Sequence, residues 1–150
     1  MTTELPDFPT LRTRYESLSP GSRAELRRVA EPDDLSLTTA LYRLFPGERP
    51  DERHLRIAFL LPWCPQQSNA KPLGTQLADA KVAEARVLQA ARARAPLDII
   101  QLRRLVMHIE PAADWSTLGR MLWYWNDRAK RQLVEDFYLA KFTPVKGEKK

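Results

Sequence analysis

The sequence predicts an all-α protein, a two-lobed helical bundle of about seven to eight helices. Two observations carry that prediction. Apolar residues recur at three and four in nearly every periodic segment, and no stretch sustains the strict alternation of a half-buried strand. A loop with three prolines and a Gln-Gln-Ser-Asn run interrupts the pattern between residues 62 and 74. The reading divides the 150 residues into an N-terminal lobe (1–62), a linker (63–74), a C-terminal lobe (75–145) and a basic tail (146–150).

The elements follow in order. A short helix over residues 10–18 stops at Ser19-Pro20-Gly21. Ser22 is placed to cap a second helix, with Glu25 three residues on as its capping-box partner and Leu26 and Val29 inward. Glu31-Pro32 ends it. Ser36 is expected to cap a third, in which Leu37, Ala40, Leu41, Leu44 and Phe45 share a face before Pro46-Gly47 and Pro50 break it. A fourth spans 51–61, presenting Leu55, Ala58 and Phe59. After the loop, a turn of helix around 75–80 leads into an Ala-rich helix over 81–95, whose composition has high helical propensity. Pro96 separates this from a helix over 97–109 with Ile99, Leu102, Val106 and Ile109 inward. Asp114 caps the next, where Trp115, Leu118, Leu122 and Trp125 form the stripe and Trp123 falls off it. Asn126-Asp127 breaks the pattern, and a last helix over 128–142 turns Leu133, Phe137 and Ala140 inward.

Composition narrows the function classes. The net charge is +5, and its distribution is uneven: residues 1–75 carry ten Lys/Arg against ten Asp/Glu, residues 76–150 fourteen against nine. The densest stretch holds Arg86, Arg92, Arg94, Arg103 and Arg104 against the single acid Asp98. Charge alone leaves nucleic acid, an acidic membrane and an acidic protein all open as partners. One cysteine, Cys64, excludes an internal disulfide and a cysteine-rich metal site, and the two histidines, His54 and His108, lack ligand spacing. Neither a secretory signal nor an apolar run of the roughly 20 residues that span a bilayer is present, so a soluble, cytoplasmic chain is expected.

No phosphate loop, metal-binding HExxH or nucleophile elbow occurs, and no Ser/His/Asp group is suggested, so neither enzyme activity nor a cofactor or metal is expected. His108 beside Glu110 reads as a surface pair at a helix end. Asp33-Asp34 and Asp51-Glu52 sit where acids offset the exposed N–H groups of first helical turns. The arginines differ in kind. On the 97–109 helix, Gln101, Arg104 and His108 lie away from the apolar stripe with Arg103 beside them, which offers two guanidinium forks on one exposed side. Arg120 and Tyr124 are four apart, an arrangement suited to phosphate contact with base stacking, or to packing of Tyr124 on a neighbouring helix or subunit. Arg23 and Arg27 align at i and i+4 with Arg28 adjacent, and Arg43 points off the Leu41/Leu44 face.

Three strings go beyond composition. They are GSRAELRRVAEP over residues 21–32 followed by ALYRL over 40–44, QLRRLVMHIEP over 101–111, and DW at 114–115 with GRML at 119–122, Trp125 and RQLVEDF at 131–137. Their order and spacing resemble the CasB family, the small subunit of the type I-E CRISPR Cascade complex, over roughly residues 21–142. The resemblance implies a non-catalytic, all-helical subunit present in two copies. Its expected partners are other Cascade subunits, the guide RNA and the displaced single DNA strand, with no membrane contact. It also implies a basic groove stabilising the R-loop, where base pairing reads sequence and the protein supplies sequence-independent phosphate contacts. Carried onto matching positions, it nominates Arg27, Arg28, Arg43, Arg103, Arg104, Arg120 and Arg131, with Arg94 and Arg128 at less closely matched places. The alternative is a helical protein-interaction scaffold whose arginines dock on acidic partners. A helix-turn-helix factor ranks below both, because the 97–109 helix offers only Gln101, Arg103 and Arg104 to read bases.

Overall fold

A short polar side chain sets the start of α-helices at both ends of the chain, and the chain's course there follows from which of several candidates takes that role. A computed structural model describes residues 5–143. Among them are nine α-helices: α1 (Phe8–Ser17), α2 (Pro20–Arg28), α3 (Thr39–Leu44), α4 (Glu52–Leu60), α5 (Leu73–Asp79), α6 (Glu84–Arg92), α7 (Leu97–Ile109), α8 (Trp115–Trp123) and α9 (Asp127–Lys141). Two 3-10 segments, Pro32–Leu37 and Leu61–Trp63, complete them. The chain is all-α, as expected. The described residues include one β feature, an isolated parallel bridge between Gln66 and Ala113. No described helix is long and apolar enough to cross a membrane. The tail at 146–150 lies outside the described residues.

Asp51, Asp114 and Asn126 cap α4, α8 and α9, their side-chain oxygens accepting from Arg53, Ser116 and Ala129 backbone N–H groups. Two expected caps are corrected. Ser19, not Ser22, caps α2: its hydroxyl accepts from Ser22 N–H, because Pro20 is better suited to the first helical position, where its missing N–H costs nothing. Ser22 is instead buried in the first turn, and Glu25, rather than closing a capping box, accepts the Ala40 N–H and so ties α2 to the start of α3. Thr38, not Ser36, caps α3. The 3-10 turn before it changes the phase of the segment, and Leu37, expected inward, is 91% exposed.

The Ala-rich helix is also shorter than propensity suggests. Lys81 adopts φ +62 and closes α5, its N–H reaching Ala78 O and the next N–H, of Val82, reaching Leu77 O. This pair of bonds is the Schellman closure, which takes Lys81 out of α6. Similarly, α8 ends at Trp123, so Trp125 lies beyond the helix and is half-buried, its indole N–H donating to Asp98 at 2.9 Å. Trp123, read as off the stripe, is buried between Phe8 and His54, with ring centroids 6.0 and 5.0 Å away.

Helix α5 packs along α9, and α6 packs on both α7 and α9. Helix α8, late in the chain, packs on α1 and α4. Glycines set two of these approaches: a Cβ at Gly119 would collide with the Phe8 ring of α1, and one at Gly74 with the α9 backbone at Leu133. Trp115, fully buried, donates through Nε1 to Cys64 O at 2.7 Å, while its backbone N–H reaches Gln66 Oε1 at 2.7 Å. With Ala113 N–H on Pro65 O and Gln67 N–H on Ala113 O, both 2.8 Å, residues 64–67 are pinned to the start of α8. Burial pushes the Cys64 thiol up to about 12, so it stays protonated and inert. The buried apolar residues form one connected core from Phe8 to Phe137.

Candidate nucleic-acid interface

An α-helix leaves its last four carbonyls without intrahelical partners, and cations are stabilised beside them. This chain closes most of its helix carboxyl ends with a cation from elsewhere in the fold. Arg23 donates to Glu16 O and Leu18 O at the end of α1. Arg14 reaches Leu44 O at the end of α3 (2.7 Å), and Arg12 reaches Leu61 O just past α4 (2.6 Å). Arg56, half-buried, spans to Leu122 O and Trp123 O at the end of α8, 2.7 and 2.8 Å away. Lys130 reaches Ala93 O at the end of α6 (3.0 Å). These cations hold helices together, and their hydrogen-bonding groups are partly engaged.

The nine nominated arginines divide against this background. Arg103 belongs with the inner set, which corrects the expectation that it shares an exposed side with Arg104. It donates to Val29 O at the end of α2 (2.8 Å), and its guanidinium lies 3.9 Å over the Phe59 ring. Burial, with a smaller contribution from Arg104, lowers its pKa, and its buried Nε–H has no partner among the described residues. Gln101, also placed outside by the sequence, is half-buried. Arg27 donates to the Tyr15 hydroxyl (2.8 Å) and Arg43 to the Ser22 hydroxyl (3.3 Å), both from exposed positions. The side chains of Arg28, Arg94, Arg104, Arg120, Arg128 and Arg131 are exposed and have neither hydrogen bond nor ion pair among the described residues.

The fold brings these into two groups. The Arg103–Val29 bond sets the end of α2, with Arg27 and Arg28, against α7, with Arg104, and Arg43 joins through Ser22 of α2. At a second corner the end of α6 meets the start of α9. Lys130 ties them, also pairing with buried Asp98 at 2.9 Å, while Arg92 and Arg131 line one shallow groove and Arg94 and Arg128 flank it in sequence. Arg120 belongs to neither group. It sits in the last turn of α8 with exposed Tyr124 as the C-cap, consistent with their expected placement. Sequence reasoning missed Arg12, Arg14 and Arg56, whose carbonyl partners are 49, 30 and 66 residues away. It also passed over the Asp98–Lys130 pair. Among the described residues, no three or more His, Cys, Asp or Glu side chains gather as metal ligands.

Comparisons with known proteins agree with one another. Residues 22–138 match the family described as CRISPR-associated protein Cse2. The chain is 36% identical over 152 aligned residues to the CRISPR system Cascade subunit CasB of Escherichia coli strain K12, covering 89% of this chain and 94% of that one. Its fold matches a chain in the crystal structure of E. coli Cascade bound to a PAM-containing double-stranded DNA target, with TM-score 0.84 and 37% identity, over 92% of this chain and 99% of the other. The strings that suggested the family all fall in or across the matched segment, and the chain belongs to the CRISPR-associated Cse2 family.

Proposed function

We propose that this chain is a non-catalytic small subunit of a type I-E CRISPR surveillance complex, bridging backbone subunits around the guide RNA and holding the displaced DNA strand so that the R-loop persists. The observation that carries the reading is the division among its cations. Inner ones are engaged by helix carboxyl ends, while Arg28, Arg94, Arg104, Arg120, Arg128 and Arg131 keep their donors turned outward. A guanidinium so placed forks onto a phosphate without reading sequence. R-loop formation is a near-balanced exchange, so a few such contacts decide whether it persists. The likeness to a chain of a DNA-bound Cascade structure supports the same partners, and a second copy of the chain in the complex is part of the proposal.

The scaffold reading keeps an observation of its own. Leu37, Leu139 and Phe142 are 91%, 69% and 66% exposed, surface suited to protein neighbours. Bridging and strand holding are separable by experiment. The chain is co-expressed with the other subunits and a guide RNA, then subunit stoichiometry and target-duplex affinity are measured with and without it. The proposal expects incorporation and tighter target binding in its presence. Incorporation without any change in target affinity would leave the scaffold alone.

A further inference from the structure

Between α1 and α2 lies a shallow depression of about 410 Å³, walled by Arg12, Tyr15, Glu16, Arg23, Arg27 and Pro62. Three guanidinium groups line it with one tyrosine: Arg27 meets the Tyr15 hydroxyl, and Arg12 lies over the Tyr15 ring, 5.0 Å from its centroid. Arg27 donates to the Tyr15 oxygen (2.8 Å), Arg12 uses Nε on Glu16 (3.0 Å) and one N–H on Leu61 O, and Arg23 uses one terminal nitrogen on Leu18 O and Glu16 O. Each guanidinium has five N–H donors, so all three retain unused ones. The Tyr15 ring is buried, which fixes its hydroxyl in the depression. Because that oxygen accepts from Arg27, its own proton is directed elsewhere, and no acceptor meets it among the described residues. Glu16 is the only carboxylate in the wall and is held at Arg12. Three cations against one anion leave the depression at about +2, with donors and no spare acceptor but Glu16.

We propose that Arg12, Tyr15, Arg23 and Arg27 seat one phosphate group of a bound single strand. The seat deepens the strand-holding reading and rests on it. It places a contact on the α1–α2 side, where of its members only Arg27 was nominated from sequence. Tyr15 O–H supplies a neutral donor to one phosphate oxygen, Arg27 and Arg23 fork onto the others, and Arg12 holds Glu16 aside. An anion there meets the donors the chain itself leaves unused, and the site reads no base.

The test uses the full chain and a fluorescent thymidine oligonucleotide, with affinity measured by anisotropy across a salt series after thermal melts have matched the variants. Tyr15→Phe keeps the ring and removes both the O–H donor and the oxygen that accepts from Arg27, and should weaken binding roughly fivefold, the size of one ordinary hydrogen bond to the strand. Arg27→Gln should weaken it at least as much and flatten the single-strand salt slope by about 0.7. Glu16→Gln removes the repelling carboxylate and should tighten binding, a change that a merely structural role would not produce. If Tyr15→Phe and Glu16→Gln both bind at wild-type strength while Arg104→Ala binds more weakly, the seat is overturned and the strand-holding reading stands. Arginine Nε–H resonances followed during titration with inorganic phosphate separate the remaining outcomes. Shifts at Arg23 and Arg27 without oligonucleotide binding would make this a free-phosphate site and overturn the strand assignment. Binding of neither probe overturns the seat and the strand-holding reading together.

Discussion

At the edge where α2 meets α7 the inward cation is Arg103, and it meets no carboxylate among the described residues: Val29 O and the Phe59 ring receive it. At the corner where α6 meets α9 the inward cation is Lys130, and it meets Asp98, which is 2% exposed and also accepts from the Trp125 indole and the Ile99 N–H. Both regions hold a helix carboxyl end and keep further arginines outside. They differ because the ions differ. A guanidinium is weakly hydrated, stacks on aromatic faces and tolerates partial burial beside neutral acceptors, whereas an ammonium is a strongly hydrated point charge that needs an anion when it leaves water. Arg103 and Lys130 are therefore not interchangeable devices, and the outer arginines beside them perform a different task.

The largest expected effect follows from breaking the pair. Lys130→Met leaves Asp98 buried without its counter-ion and should cost about 3–5 kcal/mol, read as a lower midpoint in urea denaturation. A result near zero would show that Trp125 and the Ile99 N–H suffice for the carboxylate. Arg103→Ala comes next, at about 1.5–3 kcal/mol, for one charge-assisted bond and the contact with Phe59. Arg103→Lys should recover little of it, since the ammonium finds no anion there. Full recovery would erase the distinction between the two regions.

That distinction was not legible in the sequence, and the reason is distance along the chain. Arg103 and Val29 are 74 residues apart, Lys130 and Ala93 37, so no local pattern separates an arginine that closes a helix from its neighbour that faces water. On the helical wheel Arg104 lies away from the apolar stripe and Arg103 at its edge, and it is the arrival of the α2 end that turns Arg103 inward. Where structure is decided locally, the reading served well: the bounds of α7, the Asp114 cap, the place of Asp51 and Glu52 at the first turn of α4 and the inward Leu133 and Phe137 of α9 all stand. It failed where two local signals competed, as with Pro20 shifting the cap from Ser22 to Ser19, or Lys81 closing α5 instead of continuing an Ala-rich helix.

Acid should act on helix amino ends, where Asp51 and Asp114 are the caps. A hydrogen bond from the Arg53 side chain chiefly holds the Asp51 carboxyl well below the usual range, and the Asn69 N–H does most to lower that of Asp114. With folded values depressed, the unfolded chain binds more protons near pH 4, so their contribution is present above about pH 4 and lost as pH falls below it. Both carboxylates are well solvated, so the loss should stay near 1 kcal/mol or less for Asp51. Thermal melts between pH 6 and about 3 should shift downward, and Asp51→Asn should flatten that shift. An unchanged pH profile in Asp51→Asn would mean that other carboxylates govern acid stability.

The smallest effect on stability belongs to Arg104→Ala, and it carries the most functional weight. Arg104 is exposed on α7 one residue from Arg103, and its side chain has no partner among the described residues. Truncating it removes no hydrogen bond among the described residues, and the side chain is exposed, so stability should stay within about 0.5 kcal/mol of wild type. If it contacts phosphate, the same change should weaken single-strand binding about equally for every sequence and flatten the salt slope by about 0.7. Within the assembled complex, incorporation should be normal and target-duplex affinity reduced. Arg103→Ala should do the reverse in kind, lowering stability first and affecting binding through the position of α2. Measuring melting temperature, stoichiometry and target affinity for both variants side by side compares two adjacent arginines on one helix. Should Arg104→Ala fail to assemble, this arginine lies at a protein contact and the outer set divides again. Should it assemble and bind at wild-type strength, the phosphate contacts of this edge rest on Arg27, Arg28 and Arg43, which share α2 and its neighbour.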